Sequence, residues 1–343
     1  MVDVARAAGV STATVSRVLN NHPQVDPRLA ATVRAAVAEL GYRPSRVAQS
    51  LRTRRSRVWA LLISDIRNPF FTDMVRGVED VAYAAGYSII LCNDEEDAAK
   101  EASYIELAIA ENIGGVILTP TSRGTDLTPL RDAKIPVVLA DRGLAVDVDS
   151  VTIDNFAGAE EAVRHLLDGG YRRIGCVTGP VRTSTGADRY AGYRRALKAG
   201  GLRLDESLVR FADFREAGGR AAMQELLALA EPPDAVFVAN NLMSIGALHA
   251  IAAARLAIPD QKAVVGFDDT SWATLLNPPL TTVAQPTYDL GVETARLLRS
   301  RLDGYSGAAR RVTLAPTLRV RGSSVPAGGR GARVDGSRSR AAG

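Results

Sequence analysis

Ten side chains spread between positions 68 and 285 share a chemistry. Asn68, Asp141, Arg142, Arg189, Asn240, Asp268 and Gln285 offer carboxylates, guanidiniums and amides, groups that make paired hydrogen bonds to vicinal hydroxyls. Phe70, Phe71 and Phe214 add rings that stack on the C–H face of a sugar, and such a sparse polar set with aromatic walls is what a small-ligand cleft needs. Singly, each reads as an ordinary loop or cap residue after a strand. Their placement gives the set its weight: Asn68-Pro69-Phe70-Phe71 follows VWALLIS, Asp141-Arg142 follows VVLA, Asn240 ends AVFVA, Asp268 ends VVGF and Gln285 ends TTVA. Asp141 and Asp268 would also serve as an acid/base pair, but each has a neighbouring amide or Arg better suited to binding. The three histidines, His22, His165 and His249, fall in a loop and two helices. No Ser/His/Asp or Cys/His spacing and no strand followed by G-x-x-x-x-G-K emerges, so the reading is no enzyme, no cofactor and no metal.

The elements that must position these residues alternate in type. Apolar runs over 58–64, YSIILC, GGVILT, 135–140, SVTI, RRIGCVTG, 234–239, KAVVGF and TTVAQ are separated by helical patterns. Those helices are expected over 71–85, 98–110, 157–167, 187–198 and 242–254. Uninterrupted Val/Ile/Leu strands between amphipathic helices mean parallel strands buried on both faces, hence doubly wound α/β sheets. Nine such strands are many for one comfortable sheet, so two lobes are expected. Ligands in these folds sit outside the carboxyl ends of the strands, here between the lobes.

The amino end is different. In DVARAAGVSTATVSRVLN a short helix closes at Gly9, and Ser11 caps a second helix with Val15, Val18 and Leu19 inward. A turn so tight makes the helices cross steeply, as in a helix-turn-helix, and leaves Thr12, Ala13, Ser16 and Arg17 outside for a DNA major groove. Val25-Asp26-Pro27 opens a third helix with Leu29, Val33, Ala36, Val37 and Leu40 inward, ending at Gly41. From Arg43 to Arg57 there are six arginines and no acid, interrupted by Val47, Ala48 and Leu51.

A chain of 343 residues suffices for two or three domains. Its net charge of +4 is uneven, because residues 1–60 hold ten Arg against three acids and leave the remainder about −3. The cationic charge is therefore local, as a phosphate-contacting module requires. No run is long enough to span a bilayer, and Asp3 and Arg6 interrupt any signal-peptide pattern, so a cytoplasmic setting is expected. Cys92 and Cys176 read as reduced core residues. The tail after Arg321 is rich in Gly, Ser and Arg and has no apolar heptads for a tetramer-forming coiled coil.

Through DVARAAGVSTATVSRVLN, GYRPSRVAQSL and later segments, the chain up to about Arg321 resembles the LacI/GalR family of transcription regulators. The resemblance implies a cytoplasmic homodimeric repressor that binds a palindromic operator and answers allosterically to a small ligand, with no membrane partner. It implies DNA contacts by Ser11, Thr12, Ala13, Thr14, Ser16, Arg17 and Asn20, and by Arg46, Ala48 and Leu51 of a hinge helix, Leu51 acting as a minor-groove wedge. The implied organisation is an all-α headpiece over 1–44, a hinge over 45–57, and a two-lobed periplasmic-binding-protein-like α/β domain over 58–322. Its N-lobe takes 58–155 and 286–315, its C-lobe 156–285 and 316–322, and 323–343 is a disordered tail. The ten cleft residues match ribose-type receptors, implying a monosaccharide such as ribose or another pentose. A nucleobase- or nucleoside-responsive regulator is the alternative, disfavoured because purine-binding relatives carry Arg at the position of Thr183; a sugar-transport receptor is the third reading. Two departures stand out. Members usually begin a few residues earlier, with a Thr that caps helix 1, so either the start lies upstream or helix 1 is poorly capped. They also commonly carry Asn-Asp where this chain has Asn240-Asn241, and residue 241 is expected to cap the next helix.

Overall fold

The structure, a computed structural model, describes residues 1–19, 25–42 and 56–325. The chain forms two compact units, Met1–Arg57 and Val58–Gly343.

In the first unit α1 (Val2–Ala7), α2 (Thr12–Leu19) and α3 (Pro27–Glu39) enclose a small core of Val4, Val15 and Val33, all fully buried. Burying each contributes about 1.5–3 kcal/mol. Gly9 turns the chain at φ +64, and the Thr14 N–H donates to Ser11 Oγ at 3.1 Å, capping α2. Asp26 caps α3 by accepting from the Arg28 and Leu29 N–H groups at 2.8 and 3.2 Å. No side chain caps α1 at Met1. Three expectations fail here. Leu29 and Leu40 are 37% and 48% exposed, because α1 and α2, six and eight residues long, do not cover both ends of a thirteen-residue helix. Ser16 is buried, its small side chain lying at the margin of the arc that Val15, Val18 and Leu19 turn inward.

The second unit holds two six-stranded sheets. The first lobe orders its strands β11 (Arg311–Leu314), β5 (Asp149–Ile153), β4 (Val137–Asp141), β3 (Gly115–Leu118), β1 (Val58–Ile63) and β2 (Ser88–Asn93). The second orders β12 (Thr317–Arg319), β10 (Thr281–Ala284), β9 (Ala263–Phe267), β8 (Ala235–Val238), β6 (Ile174–Thr178) and β7 (Val209–Phe211). All described pairings are parallel except β10 with β12. The reversal follows from the connection: β11 ends at the carboxyl edge of its sheet, and two residues later β12 enters the other sheet from that edge. The chain thus passes between lobes three times, after Ile153, Ala284 and Leu314, always at carboxyl ends. That arrangement makes the space between the two carboxyl edges a cleft.

Burial on both faces holds for the central strands but not for β2, the outermost strand, where Ile90 and Leu91 are 44% and 37% exposed. Helices Glu216–Leu227 and Thr287–Leu302 and strands β7, β11 and β12 are additional to the sequence reading. So is the order at Ser323 and Ser324, placed at the head of the tail but buried: Ser323 Oγ bridges Thr281 N and Val264 O, and Ser324 Oγ meets His165 Nε2 at 2.8 Å. Cys92 and Cys176 are free and buried. Among the described residues no helix is long and apolar enough to cross a membrane.

Candidate functional site

The carboxyl edges bring all ten proposed ligand residues to one cleft, with about 490 Å³ of space free of protein atoms, part of it open to solvent. Asn68 follows β1 and caps helix Pro69–Ala84, its Oδ1 accepting from Phe70 N at 2.9 Å. This fixes Phe70 and Phe71, which lie edge to face with centroids 5.1 Å apart. Asp141, Phe214 and Asp268 all take left-handed backbone, with φ of 65, 62 and 74. Such conformations are uncommon in non-glycine residues and gather at binding sites where surrounding structure over-determines them. Phe214 is held by its ring lying against Gly179, where an added Cβ would come within about 2.0 Å of it.

Two acid–base sets face each other. Arg142 commits both terminal nitrogens to Glu96, at 2.8 and 2.6 Å, and one also to Pro120 O at 3.0 Å. Its Nε has no hydrogen-bond partner and stands 3.7 Å from Asp141 Oδ2. Across the cleft Arg189 donates to Asn155 Oδ1 at 2.7 Å and Ala239 O at 2.6 Å and stacks 3.9 Å over the Phe267 ring. Asp268 accepts from Asn241 N at 3.1 Å and from Gln285 Nε2. Burial raises the Asp141 carboxyl to about 6 against the pull of Arg142 and Arg189. It raises Asp268 likewise, against Arg189. Burial also lowers the Arg189 guanidinium; it opposes the charge of Arg142 as well, but Glu96, with Asp141 and Asp94, raises that guanidinium overall. Ser64 Oγ, Asp141 Oδ1, Arg142 Nε and Gln285 Oε1 line the cleft as buried polar atoms without a hydrogen-bond partner. Native interiors rarely leave such atoms unsatisfied, so they mark where a polar ligand belongs.

Several residues sit differently from the sequence reading. Asn240, not Asn241, caps helix Asn241–Ala253, through Met243 N at 2.8 Å; Asn241 is its first residue. Thr183 caps helix Ser184–Ala199 and does not line the cleft, so its lack of charge says little about the ligand; Thr185 lines it instead. With that helix starting three residues early, Arg189 falls in its second turn. Ser64, Asp65, Glu95, Glu96, Asp213 and Arg215 also line the cleft. Ser64 and Asp65 carry the strand-end signal of the other residues. Glu96 follows β2 by three residues and carries it too, but its pairing with Arg142, 46 residues away, does not show in the sequence.

On the first unit Ser11, Thr12, Ala13 and Arg17 are exposed, Thr14 is partly so with its hydroxyl 3.0 Å from Ser11 Oγ, and Ser16 is buried. Asn20, Arg46, Ala48 and Leu51 lie outside the described residues.

A helix-turn-helix unit followed by a two-lobed body with a polar cleft is the anatomy of a ligand-responsive DNA-binding regulator. Residues 1–45 match the family described as bacterial regulatory proteins, lacI family, and residues 163–324 match the periplasmic binding protein-like domain. The chain is 36% identical to the ribose operon repressor of Escherichia coli (strain K12), over 94% of this chain and 99% of that protein. It is 39% identical to the HTH-type transcriptional regulator CelR of Thermobifida fusca, over 93% and 96%. Similar solved structures include a CelR–cellobiose complex (TM-score 0.74, 37% identity, 94% and 98% covered) and the Lac repressor dimer bound to operator and an anti-inducer (0.84, 27%, 94% and 98%). A LacI family regulator from Enterococcus faecium with bound ribose gives 0.72 at 26% identity, over 78% and 99%. This chain belongs to the lacI family of bacterial transcription regulators.

Proposed function

We propose that this protein is a cytoplasmic repressor that binds a palindromic operator as a homodimer and is controlled by a neutral monosaccharide of the ribose type held between its lobes. The observation that carries the reading is the cleft itself: ten residues from seven stretches of chain converge, with four buried polar atoms of the lining residues unpaired among the described residues. The charges argue for a neutral ligand, because Asp141 and Asp268 are already opposed by Arg142 and Arg189, and Glu96 claims most of Arg142. A phosphate would meet those two carboxylates, and the remaining cation that lines the cleft, Arg215, is engaged by the Glu95 carbonyl. Size argues for a single ring. Arg215, from the second lobe, donates to Glu95 O of the first at 3.0 Å, and both line the cleft, so a disaccharide would have to part them. The ribose operon repressor of E. coli and the ribose-bound regulator of E. faecium support the pentose; CelR with cellobiose is the competing precedent. Titration calorimetry with D-ribose, other pentoses and cellobiose decides. Saturable heat is expected with a pentose and none with cellobiose; the reverse pattern defeats the reading.

A further inference from the structure

Asn241 has no place in ligand recognition, since it is buried, 1% exposed, and does not line the cleft. Its side chain nevertheless joins the lobes: Nδ2 donates to Asn68 Oδ1 at 2.8 Å, across 173 residues of sequence. The orientation of both amides is set by backbone donors. Asn241 Oδ1 accepts from Leu242 N at 2.6 Å, which turns its NH₂ toward Asn68. Asn68 Oδ1 accepts from Phe70 N at 2.9 Å, the cap of the helix that carries Phe70 and Phe71. Position 241 must therefore accept on one side and donate on the other. A carboxylate meets the first demand only and would set a charged oxygen against Asn68 Oδ1. Rotating the Asn68 amide would restore that contact but take the cap from Phe70 N. Among the described residues the seam is also crossed by Arg215 to Glu95 O and Arg123 N to Arg182 O, each at 3.0 Å.

We propose that Asn241 is a positioning residue, a neutral amide latch that favours closed lobes and thereby sets effector affinity without touching the effector. The affinity part rests on the proposed ribose-type effector; the latch itself does not. A ligand bound by closed lobes is weakened by the fraction of time they stand open. The test is Asn241→Asp in the full-length protein, with D-ribose as the probe. In ligand-free protein, the Arg123 amide, whose hydrogen-bond acceptor lies on the other lobe, should exchange with deuterium several-fold faster in Asn241→Asp than in the wild type. Ribose affinity should fall roughly tenfold or more, the scale of leaving a buried acceptor unsatisfied. A protonated carboxyl can donate to Asn68 Oδ1, so the ratio of variant to wild-type affinity should recover as pH falls from 8 to 5, and in Asn241→Ala it should not. Unchanged Arg123 exchange overturns the latch whatever the sugar does. Wild-type protein that binds no ribose defeats the effector reading and leaves the exchange result to decide the latch. Should Asn241→Asp fail to fold, Asn241→Ala is measured by the same exchange readout: faster Arg123 exchange supports the latch and unchanged exchange overturns it.

Discussion

Asp141 shows at the scale of one residue how this cleft trades stability for binding. Its carboxyl is 5% exposed, sits in left-handed backbone and has one oxygen without a partner. Because burial raises it from 3.8 to about 6, the folded protein holds this proton at pH values where the unfolded chain has lost it. Stability therefore falls as pH rises from about 4 through about 6. Asp141→Asn removes the charge, and Asn accepts left-handed backbone, so the variant should be more stable at neutral pH by about 1–3 kcal/mol. Thermal melts at pH 7.5 test this, and an unchanged or lower Tm contradicts it. Sugar hydroxyls donating to Asp141 favour its ionised form, so ribose binding near pH 6 should release protons. Calorimetry at pH 6 in buffers of differing protonation enthalpy should give different heats for the wild type and a smaller difference for Asp141→Asn, in which Asp268 alone of the cleft's two raised carboxyls remains. Most of the ten residues were legible because they follow strands, where an α/β sheet puts its ligands; Arg189, in a helix, was not placed by that rule. The pairing of Glu96 with Arg142 and the inter-lobe role of Asn241 were not legible, since each depends on a partner brought near only by the tertiary fold.

Among elements, the cost of reading a chain locally appears at edges and in small-residue helices. Helix Glu216–Leu227, EAGGRAAMQELL, has too few large apolar residues to show a helical stripe, although Gly219, Ala222, Met223 and Leu226 are its buried face. β11 and β12 are edge strands of four and three residues with exposed positions alternating along them, too brief for period-2 evidence. Tertiary ion pairing anchors β11. Asp149, fully buried at the head of β5, receives Arg301 at 2.9 and 2.8 Å and the Arg310 side chain and backbone at 2.7 Å each, tying helix Thr287–Leu302 and the start of β11 to the sheet. Burial opposes its charge, but those bonds win and bring its pKa to about 2. The depressed value means this stabilisation is complete above about pH 4 and is lost as pH falls toward 2. Asp149→Asn should therefore lower stability at pH 7 by about 2–4 kcal/mol, and the gap to wild type should close near pH 2. Urea titrations across that range check both parts, and a gap independent of pH would assign the loss to packing instead of charge.

For the whole molecule the question is whether lobe closure is the variable that the operator senses. By linkage, the factor by which ribose changes operator affinity equals the factor by which operator changes ribose affinity, and couplings of this kind run to about 1–3 kcal/mol. Equality alone does not identify the coupled motion, because any shared conformational change satisfies it. Asn241→Asp does, because it acts on the seam between the lobes, through Asn68, and lies outside the helix-turn-helix. A sugar held by residues of both lobes would favour closure, whereas the variant would set a carboxylate against Asn68 and favour opening. Their effects on operator affinity must then have opposite signs: if ribose releases the operator, ligand-free Asn241→Asp binds it more tightly, and if ribose strengthens binding, the variant weakens it. Salt gives a control, since release of counterions from DNA phosphates makes every operator affinity fall with ionic strength by a common slope, while the ratio of variant to wild type stays constant. Fluorescence anisotropy with an operator duplex at several salt concentrations measures both quantities. Shifts of the same sign would mean that ribose reaches the DNA-binding unit by a route other than closing the cleft.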